Sequence, residues 1–124
     1  MKKLIFLCIL CCSTMLIQAQ LTRVQKNSKY GYADANGKVV IACQYDDAAE
    51  FSEGMAAVNK GATSEDVMGV NFPMLFGGKW GFNDKGELVI ALQYDQAGDF
   101  SKGKAEVKLG NDTFIIDTKG SVIK

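Results

Sequence analysis

The chain has 124 residues, 48% of them hydrophobic, and its 14 basic residues balance its 14 acidic residues. It contains no histidine, which excludes the Ser–His and Cys–His pairs that activate many catalytic nucleophiles. The balanced charge also argues against a nucleic-acid partner, because phosphate backbones are bound by basic protein faces.

Residues 1–19 have the pattern of a secretory signal peptide. Lys2 and Lys3 supply a positive start, residues 4–17 form an apolar run, and Ala19 places a small residue at the expected cleavage site. The run is shorter than the ~20 apolar residues that a transmembrane helix needs. We therefore favour cleavage over an uncleaved anchor. The prediction is an exported chain, periplasmic or extracellular, with no membrane span after cleavage.

Residues 20–124 are predicted to form one domain, and an internal repeat dominates them. Lys29–Gly54 returns as Lys79–Gly103, with the same Gln-Tyr-Asp and Phe-Ser segments in each copy. Alternating apolar residues and an Asn-Gly turn indicate short strands joined by tight turns. A recurring valine then predicts three hairpins, at about 21–32, 55–82 and 104–117. Because an isolated hairpin is marginal in water, we predict an all-β stack of hairpins, either solenoid-like or a small open barrel.

Stacking of the hairpins predicts a shared hydrophobic core. Its predicted aliphatic and phenylalanine members are Val24, Ile41, Phe51, Val58, Ile90, Phe100 and Val107. Its predicted aromatic members are Tyr30, Tyr32, Tyr45, Trp80, Phe82 and Tyr94. Cys43 stands where the second copy has Leu92, so we expect it to be a buried apolar residue.

Several recurring glycines and aspartates have architectural interpretations. Gly31 and Gly81 each lie between two aromatic residues, which indicates a bulge or a close backbone approach. Asp34, Asp84 and Asp117 precede turn glycines, where a carboxylate accepts backbone N–H groups. The acidic residues that could in principle ligate calcium are Asp46, Asp47 and Asp95. No calcium-binding loop surrounds these, so we predict neither a metal nor another cofactor.

The segment Lys79-Trp80-Gly81-Phe82, followed by Gln93-Tyr94-Asp95 and Phe100-Ser101, resembles the WG-repeat (KWG) family of bacterial proteins. The leader ending in Ala19-Gln20 is similar to those of Bacteroidota. The chain departs from the family at two points. Tyr30 and Thr113 stand at the equivalents of Trp80, and the prolines usual before Gln-Tyr-Asp are absent. The resemblance implies a β-rich repeat that presents a surface to other molecules, with no shared catalytic chemistry.

The middle hairpin carries an insertion within residues 61–78 that the repeat does not explain. We expect a lengthened hairpin with Pro73 at an edge or tip. Its apolar side chains either cover an open part of the core or form an exposed patch that binds a partner. The residues predicted to bind in the second case are Phe72, Met74, Leu75 and Phe76.

The function predicted from these observations is a non-catalytic, exported repeat module for protein binding or scaffolding, with self-association possible. One alternative is a carbohydrate- or cell-wall-binding module. It requires Tyr32, Tyr45 and Tyr94 to form an exposed aromatic platform. A weaker alternative is an inhibitor that inserts the 61–78 segment into a cleft of another protein.

Overall fold

The computed structural model describes residues 21–123, and the predicted signal peptide at residues 1–19 lies outside the described residues. The described chain is all β, as predicted. Its strands are β1 (Thr22–Lys26), β2 (Lys29–Ala33), β3 (Val39–Tyr45), β4 (Asp47–Ala48), β5 (Ala56–Glu65), β6 (Met74–Asn83), β7 (Leu88–Tyr94), β8 (Gln96–Ala97), β9 (Ala105–Leu109) and β10 (Asp112–Ile116). Within residues 21–123, no helix is long and apolar enough to cross a membrane.

Strand pairing divides the described chain into three units. Unit 1 is the sheet β1-β2-β3, unit 2 is the sheet β4-β5-β6-β7, and unit 3 is the sheet β8-β9-β10. Each unit is built on an antiparallel hairpin, formed by β1–β2, β5–β6 or β9–β10. The valines Val24, Val58 and Val107 hold equivalent places in these hairpins, opposite Gly31, Gly81 and Phe114.

In units 1 and 2, a further strand pairs with the second strand of the hairpin. The sequence analysis did not predict this pairing. β3 pairs with β2 and β7 pairs with β6, after the turns that begin at Asp34 and Asp84. The Asp34 carboxylate accepts the N–H groups of Asn36 (2.9 Å) and Lys38 (3.0 Å). Asp84 and Asp117 hold their turns in the same way. The predicted turn-capping role of these aspartates is confirmed.

Gly31 and Gly81 allow the third strand to approach the hairpin. The pairing register shifts at both glycines. A Cβ on Gly81 would overlap the Ile90 carbonyl oxygen and lie 2.8 Å from the Ala91 carbonyl carbon. The predicted bulge and close approach are therefore confirmed. The equivalent place in unit 3 accommodates Phe114, where the described chain has only a single bridge beside β10 instead of a long third strand.

The Gln-Tyr-Asp segments carry the chain from one unit to the next. Asp46, between β3 and β4, accepts the N–H of Gly61 in unit 2 (2.7 Å) and forms an ion pair with Lys29 in unit 1. Asp95 makes the equivalent contacts between units 2 and 3. These aspartates are structural acceptors that connect neighbouring sheets.

Unit 2 lies between units 1 and 3, and each interface is a hydrophobic core. The core between units 1 and 2 contains Leu21, Tyr32, Ile41, Tyr45, Ala48, Phe51, Ala56 and Val58. The core between units 2 and 3 contains Met55, Ala57, Phe82, Ile90, Tyr94, Phe100, Ala105, Val107 and Ile116. Successive residues of a strand point to opposite faces, so Val58 faces unit 1 and Ala57 faces unit 3. The described strands form three separate sheets and no closed barrel, which confirms the predicted stack of hairpins.

Two side chains predicted to be buried lie on the outer face of unit 1 and are only half-buried. Val24 lies on β1, an edge strand, whereas β4 flanks Val58 and β8 flanks Val107. Cys43 is also half-buried. Its equivalent in unit 2, Leu92, packs against the core that unit 1 shares with unit 2. Within the described residues, unit 1 has no such neighbour on its outer side, so the prediction of full burial was wrong for both residues.

A second contact between repeats joins the two Phe-Ser loops. The Ser52 hydroxyl donates to the Phe100 carbonyl (2.7 Å). The Glu53 carboxylate accepts the N–H groups of Lys102 (2.6 Å) and Gly103 (2.8 Å). The bond from Gly103, followed by that from Lys102, lowers the pKa of Glu53.

Candidate interaction site

The insertion forms a two-stranded arm, defined here as residues 62–77. It consists of the end of β5, the start of β6 and the loop 66–73, and the pairing continues from Ala62 opposite Gly77 to Glu65 opposite Met74. A tight turn at the tip is closed by the Val70 N–H, which donates to the Val67 carbonyl (3.0 Å). Pro73 lies directly before β6. The lengthened middle hairpin is confirmed.

The arm exposes its large apolar side chains. The exposed fractions are 100% for Met68, 65% for Phe72, 39% for Met74, 41% for Leu75 and 43% for Phe76. None of these residues belongs to either hydrophobic core. The interpretation that the insertion covers the core is therefore wrong, and the four predicted binding residues lie together on an exposed ribbon.

Asn59, which the sequence analysis did not identify, holds the base of the arm. It is buried, its Nδ2 donates to the Gly77 carbonyl (3.2 Å), and its Oδ1 accepts the N–H of Ala62 (3.2 Å). The repeat pattern gives no sign of this role, because the equivalent positions in units 1 and 3 hold Gln25 and Lys108.

The arm meets the body of unit 2 at two glycines with left-handed backbones, Gly61 (φ 100°) and Gly78 (φ 75°). A Cβ on Gly78 would overlap Asn59 Oδ1 and lie 2.5 Å from the Ala62 nitrogen. Only glycine fits there. The direction of the arm is thus fixed by a side chain and a backbone conformation at its base.

The two edges of the arm differ in charge. The β5 strand ends at Glu65, and Asp66 follows it, whereas residues 67–78 contain no charged side chain. Met74 and Phe76 lie on one face of β6 and Leu75 lies on the other, opposite Ser64. The arm therefore has one acidic strand and one uncharged apolar strand.

The aromatic platform required for carbohydrate binding is not exposed. Tyr32, Tyr45 and Tyr94 are 0%, 5% and 7% exposed. The Tyr32 hydroxyl donates to the Ala49 carbonyl (2.6 Å), and burial raises its pKa. These rings belong to the two cores, so they offer no surface on which a sugar ring could stack.

The shifted carboxyl groups of the described chain all have lowered pKa values. They are Asp46, Glu53, Asp84, Asp95 and Asp117. The Lys29 side chain is the main cause for Asp46 and the Lys79 side chain for Asp95, whereas backbone N–H groups act on the other three. Residues 21–123 contain no cluster of histidine, cysteine or acidic side chains that could hold a metal ion.

A second surface feature lies on the outer face of unit 3. It is a depression of about 250 Å³ lined by Gln96, Ala97, Gly98, Glu106, Val107, Lys108 and Thr113. Thr113 occupies the place that Trp80 fills in unit 2, and the smaller side chain leaves the space open. Glu106 and Lys108 give this face of unit 3 a polar character.

Comparison with known proteins gives one result that agrees with this geometry. The family described as WG containing repeat matches residues 30–63 and 80–111, together more than half of the chain. Most of the arm lies between the two matched segments. No match was found among curated proteins or among solved structures. Because the two matched segments cover more than half of the chain, the chain belongs to the WG-repeat family.

Proposed function

We propose that this protein is a non-catalytic binding module in which the repeat stack holds out the arm as the contact surface for a protein partner. We also infer that it is a small exported bacterial protein, since its leader is similar to those of Bacteroidota.

The exposure of Phe72, Leu75 and Phe76 is the observation that carries this proposal. Large apolar patches on a soluble surface mark interaction sites more often than scattered single residues do. The stack does not require the arm, because in unit 3 the residues Gly110-Asn111 join the equivalent strands. The arm is thus an addition to a fold that is complete without it.

The way the arm is held also supports binding. A surface ribbon that is pinned by Asn59 and bent at Gly61 and Gly78 loses less conformational entropy on association than a free loop of equal length. Asn59 makes hydrogen bonds to the first and last residues of the arm, Ala62 and Gly77, so Phe76 and Leu75 are presented close to a rigid support.

The ionisable groups support a role without catalysis. A carboxylic acid that donates a proton near neutral pH needs a raised pKa, whereas the shifted carboxylates here are held ionised by turns and lysines. Each of these carboxylates accepts hydrogen bonds from turns or lysines that hold the fold together. The proposal includes neither a cofactor nor a metal.

The test replaces residues 61–78 with Gly-Asn, the two residues that join Leu109 to Asp112 in unit 3. We call this the arm-to-turn variant. It keeps a glycine N–H for Asp46, as Gly110 does for Asp95. Proteins captured by the intact chain from the envelope of the source cell are identified and purified, and their direct affinities for the two chains are compared.

We expect the arm-to-turn variant to bind the purified partner at least about tenfold more weakly, a loss of about 1.4 kcal/mol. Lys108→Ala, which changes the depression on unit 3 instead, should bind as the intact chain does. Equal affinity of the intact chain and the arm-to-turn variant would show that the arm is not the contact surface. Export is tested separately: the mass of the purified protein should correspond to a chain that starts at Gln20.

A further inference from the structure

We propose that the outer edge of β6 at Met74–Phe76 pairs with the same edge of a second copy of the chain, so that two arms join into one four-stranded antiparallel sheet. This inference goes beyond the proposed function, because it uses the same arm but takes a second copy of the chain, and not a different protein, as the occupant.

The outer edge of β6 has no strand beside it in the described part of the chain. β7 pairs with β6 only from Trp80 onward, and β4 on the other side reaches only Asn59. Along Met74–Phe76, one row of backbone N–H and C=O groups therefore faces away from β5 without a sheet partner. Such a row is a template for the strand of another chain.

This edge lacks most of the features that keep edge strands apart. Natural edge strands carry charged side chains, prolines or bulges that prevent pairing. Here no charge occurs between Asp66 and Lys79. Pro73 and the bend at Gly77-Gly78 limit the edge to a short segment but leave Met74–Phe76 open. A two-stranded ribbon is marginally stable alone, so pairing would also stabilise the arm.

The edge is complementary to itself. In an antiparallel pair centred on Leu75, each Leu75 lies opposite the other, and each Met74 lies opposite Phe76 of the second copy. The same surface is used by both chains, as a two-fold interface requires. The β5 edge is less suitable, because its end carries Glu65 and Asp66 and pairing it with itself would bring these like charges close together.

The exposed apolar area sets the strength of the dimer. Phe72 and Phe76 are 65% and 43% exposed, and together they leave on the order of 200 Å² of aromatic surface open. With the exposed methionines and Leu75, the two copies would bury on the order of 1,000 Å², at the low end for specific interfaces. We therefore infer a weak dimer that dissociates on dilution.

The test is sedimentation equilibrium of the purified chain between about 1 µM and about 1 mM, a range that spans weak association. The average mass should rise from one chain to two. Leu75→Lys places two ammonium groups opposite each other and should raise the dissociation constant at least tenfold. The matched control is Ser64→Lys, which adds the same charge on the paired strand β5 and should leave the dissociation constant unchanged.

A second measurement shows the register directly. In a Cys43→Ser background, Leu75→Cys places two thiols on directly opposed residues, whose Cα atoms lie about 4.5–5.5 Å apart in antiparallel sheets. That separation suits a disulfide, so oxidised glutathione should link Leu75→Cys into a covalent dimer and should not link Ser64→Cys.

A chain that remains monomeric throughout, equal effects of the two lysine variants, or equal cross-linking of the two cysteine variants would each overturn the inference. The proposed function is tested separately from the self-pairing. A monomeric chain whose arm still binds a different purified protein refutes the self-pairing alone. A dimer whose arm-to-turn variant still binds that protein refutes the proposed function alone.

Discussion

Replacing Gly81 with alanine tests the close approach of strands on which each repeat depends. Gly81 is buried between Trp80 and Phe82, and a Cβ there would overlap the Ile90 carbonyl oxygen and lie 2.8 Å from the Ala91 carbonyl carbon. Both atoms belong to the backbone of β7, so the contact can be relieved only if β7 moves away from β6. That movement would separate Phe82 from Ile90, which are paired and belong to the same core.

The expected cost follows from these contacts. Overpacking a well-packed site costs about 1–3 kcal/mol, and a weakened backbone hydrogen bond adds about 1 kcal/mol. We therefore expect Gly81→Ala to lower the free energy of unfolding by about 2–4 kcal/mol, a large part of the ~5–15 kcal/mol typical of a domain. At about 4–8 °C per kcal/mol for a domain of this size, Tm should fall by roughly 8–32 °C.

The assay is urea unfolding followed by the fluorescence of Trp80, the single tryptophan of the chain. The matched control is Gly86→Ala in the turn that follows β6, where an added Cβ would meet only Asp84 Oδ1, at 4.0 Å. The control should change the free energy of unfolding by less than about 0.5 kcal/mol. If Gly81→Ala were as stable as the control, the close-approach account of the repeat would be refuted.

Two further predictions concern the contacts between repeats and at the base of the arm. Because the folded-state pKa values of Glu53, Asp84 and Asp117 are lowered, their stabilisation is present above the unfolded-state values of about 4 and is lost as the pH falls through the lowered values. The midpoint of urea unfolding should therefore drop between pH 5 and pH 3, by less in Glu53→Gln than in the exposed control Glu87→Gln; identical pH profiles would contradict this. Asn59→Leu removes both side-chain bonds to the arm and should cost about 1–3 kcal/mol, because the Gly77 carbonyl and the Ala62 N–H lose these part-buried partners. Hydrogen exchange of the Ala62 amide should be faster in Asn59→Leu, and unchanged exchange would show that Asn59 does not hold the arm.

The repeat made the architecture predictable. Two copies of one pattern, with Val24, Val58 and Val107 in phase, define a hairpin unit that cannot bury its apolar face alone, so stacking follows from elementary energetics. The turn aspartates and Gly31 and Gly81 were also predictable, because each requirement is local: a carboxylate beside free N–H groups, or a backbone position without room for a side chain.

The burial of particular side chains was harder to predict, because it depends on which unit lies on each side. Val24 and Val58 are equivalent in sequence, yet only Val58 has a neighbouring strand on both sides. Cys43 and Leu92 differ for the same reason. Position within the stack, rather than the local pattern, decides which equivalent residues are buried.

Whether the arm packs on the core or stays exposed could not be predicted from the sequence, for a related reason. The apolar composition of residues 67–76 suits a segment that covers a core as well as one that binds a partner. The decision depends on where the arm points, and that is set by the Asn59 side chain and the backbone at Gly61 and Gly78. In unit 1, Gln25 stands in place of the asparagine and Asn27-Ser28 in place of the two glycines, so the repeat pattern did not indicate how the arm is held.

The most direct test of the central claim, that a complete repeat stack carries the arm as a separate element, is the Tm of the arm-to-turn variant. Shortening the connection from 18 residues to two should recover about 1.9 kcal/mol of closure entropy. The arm's own contacts are few, and Asn59 becomes accessible to water, as Gln25 is in unit 1. We predict one cooperative transition with a Tm within about 8 °C of the intact chain, which corresponds to about 1 kcal/mol. A fall of roughly 20 °C or more, or the loss of cooperative unfolding, would contradict the account by showing that the arm is part of the core.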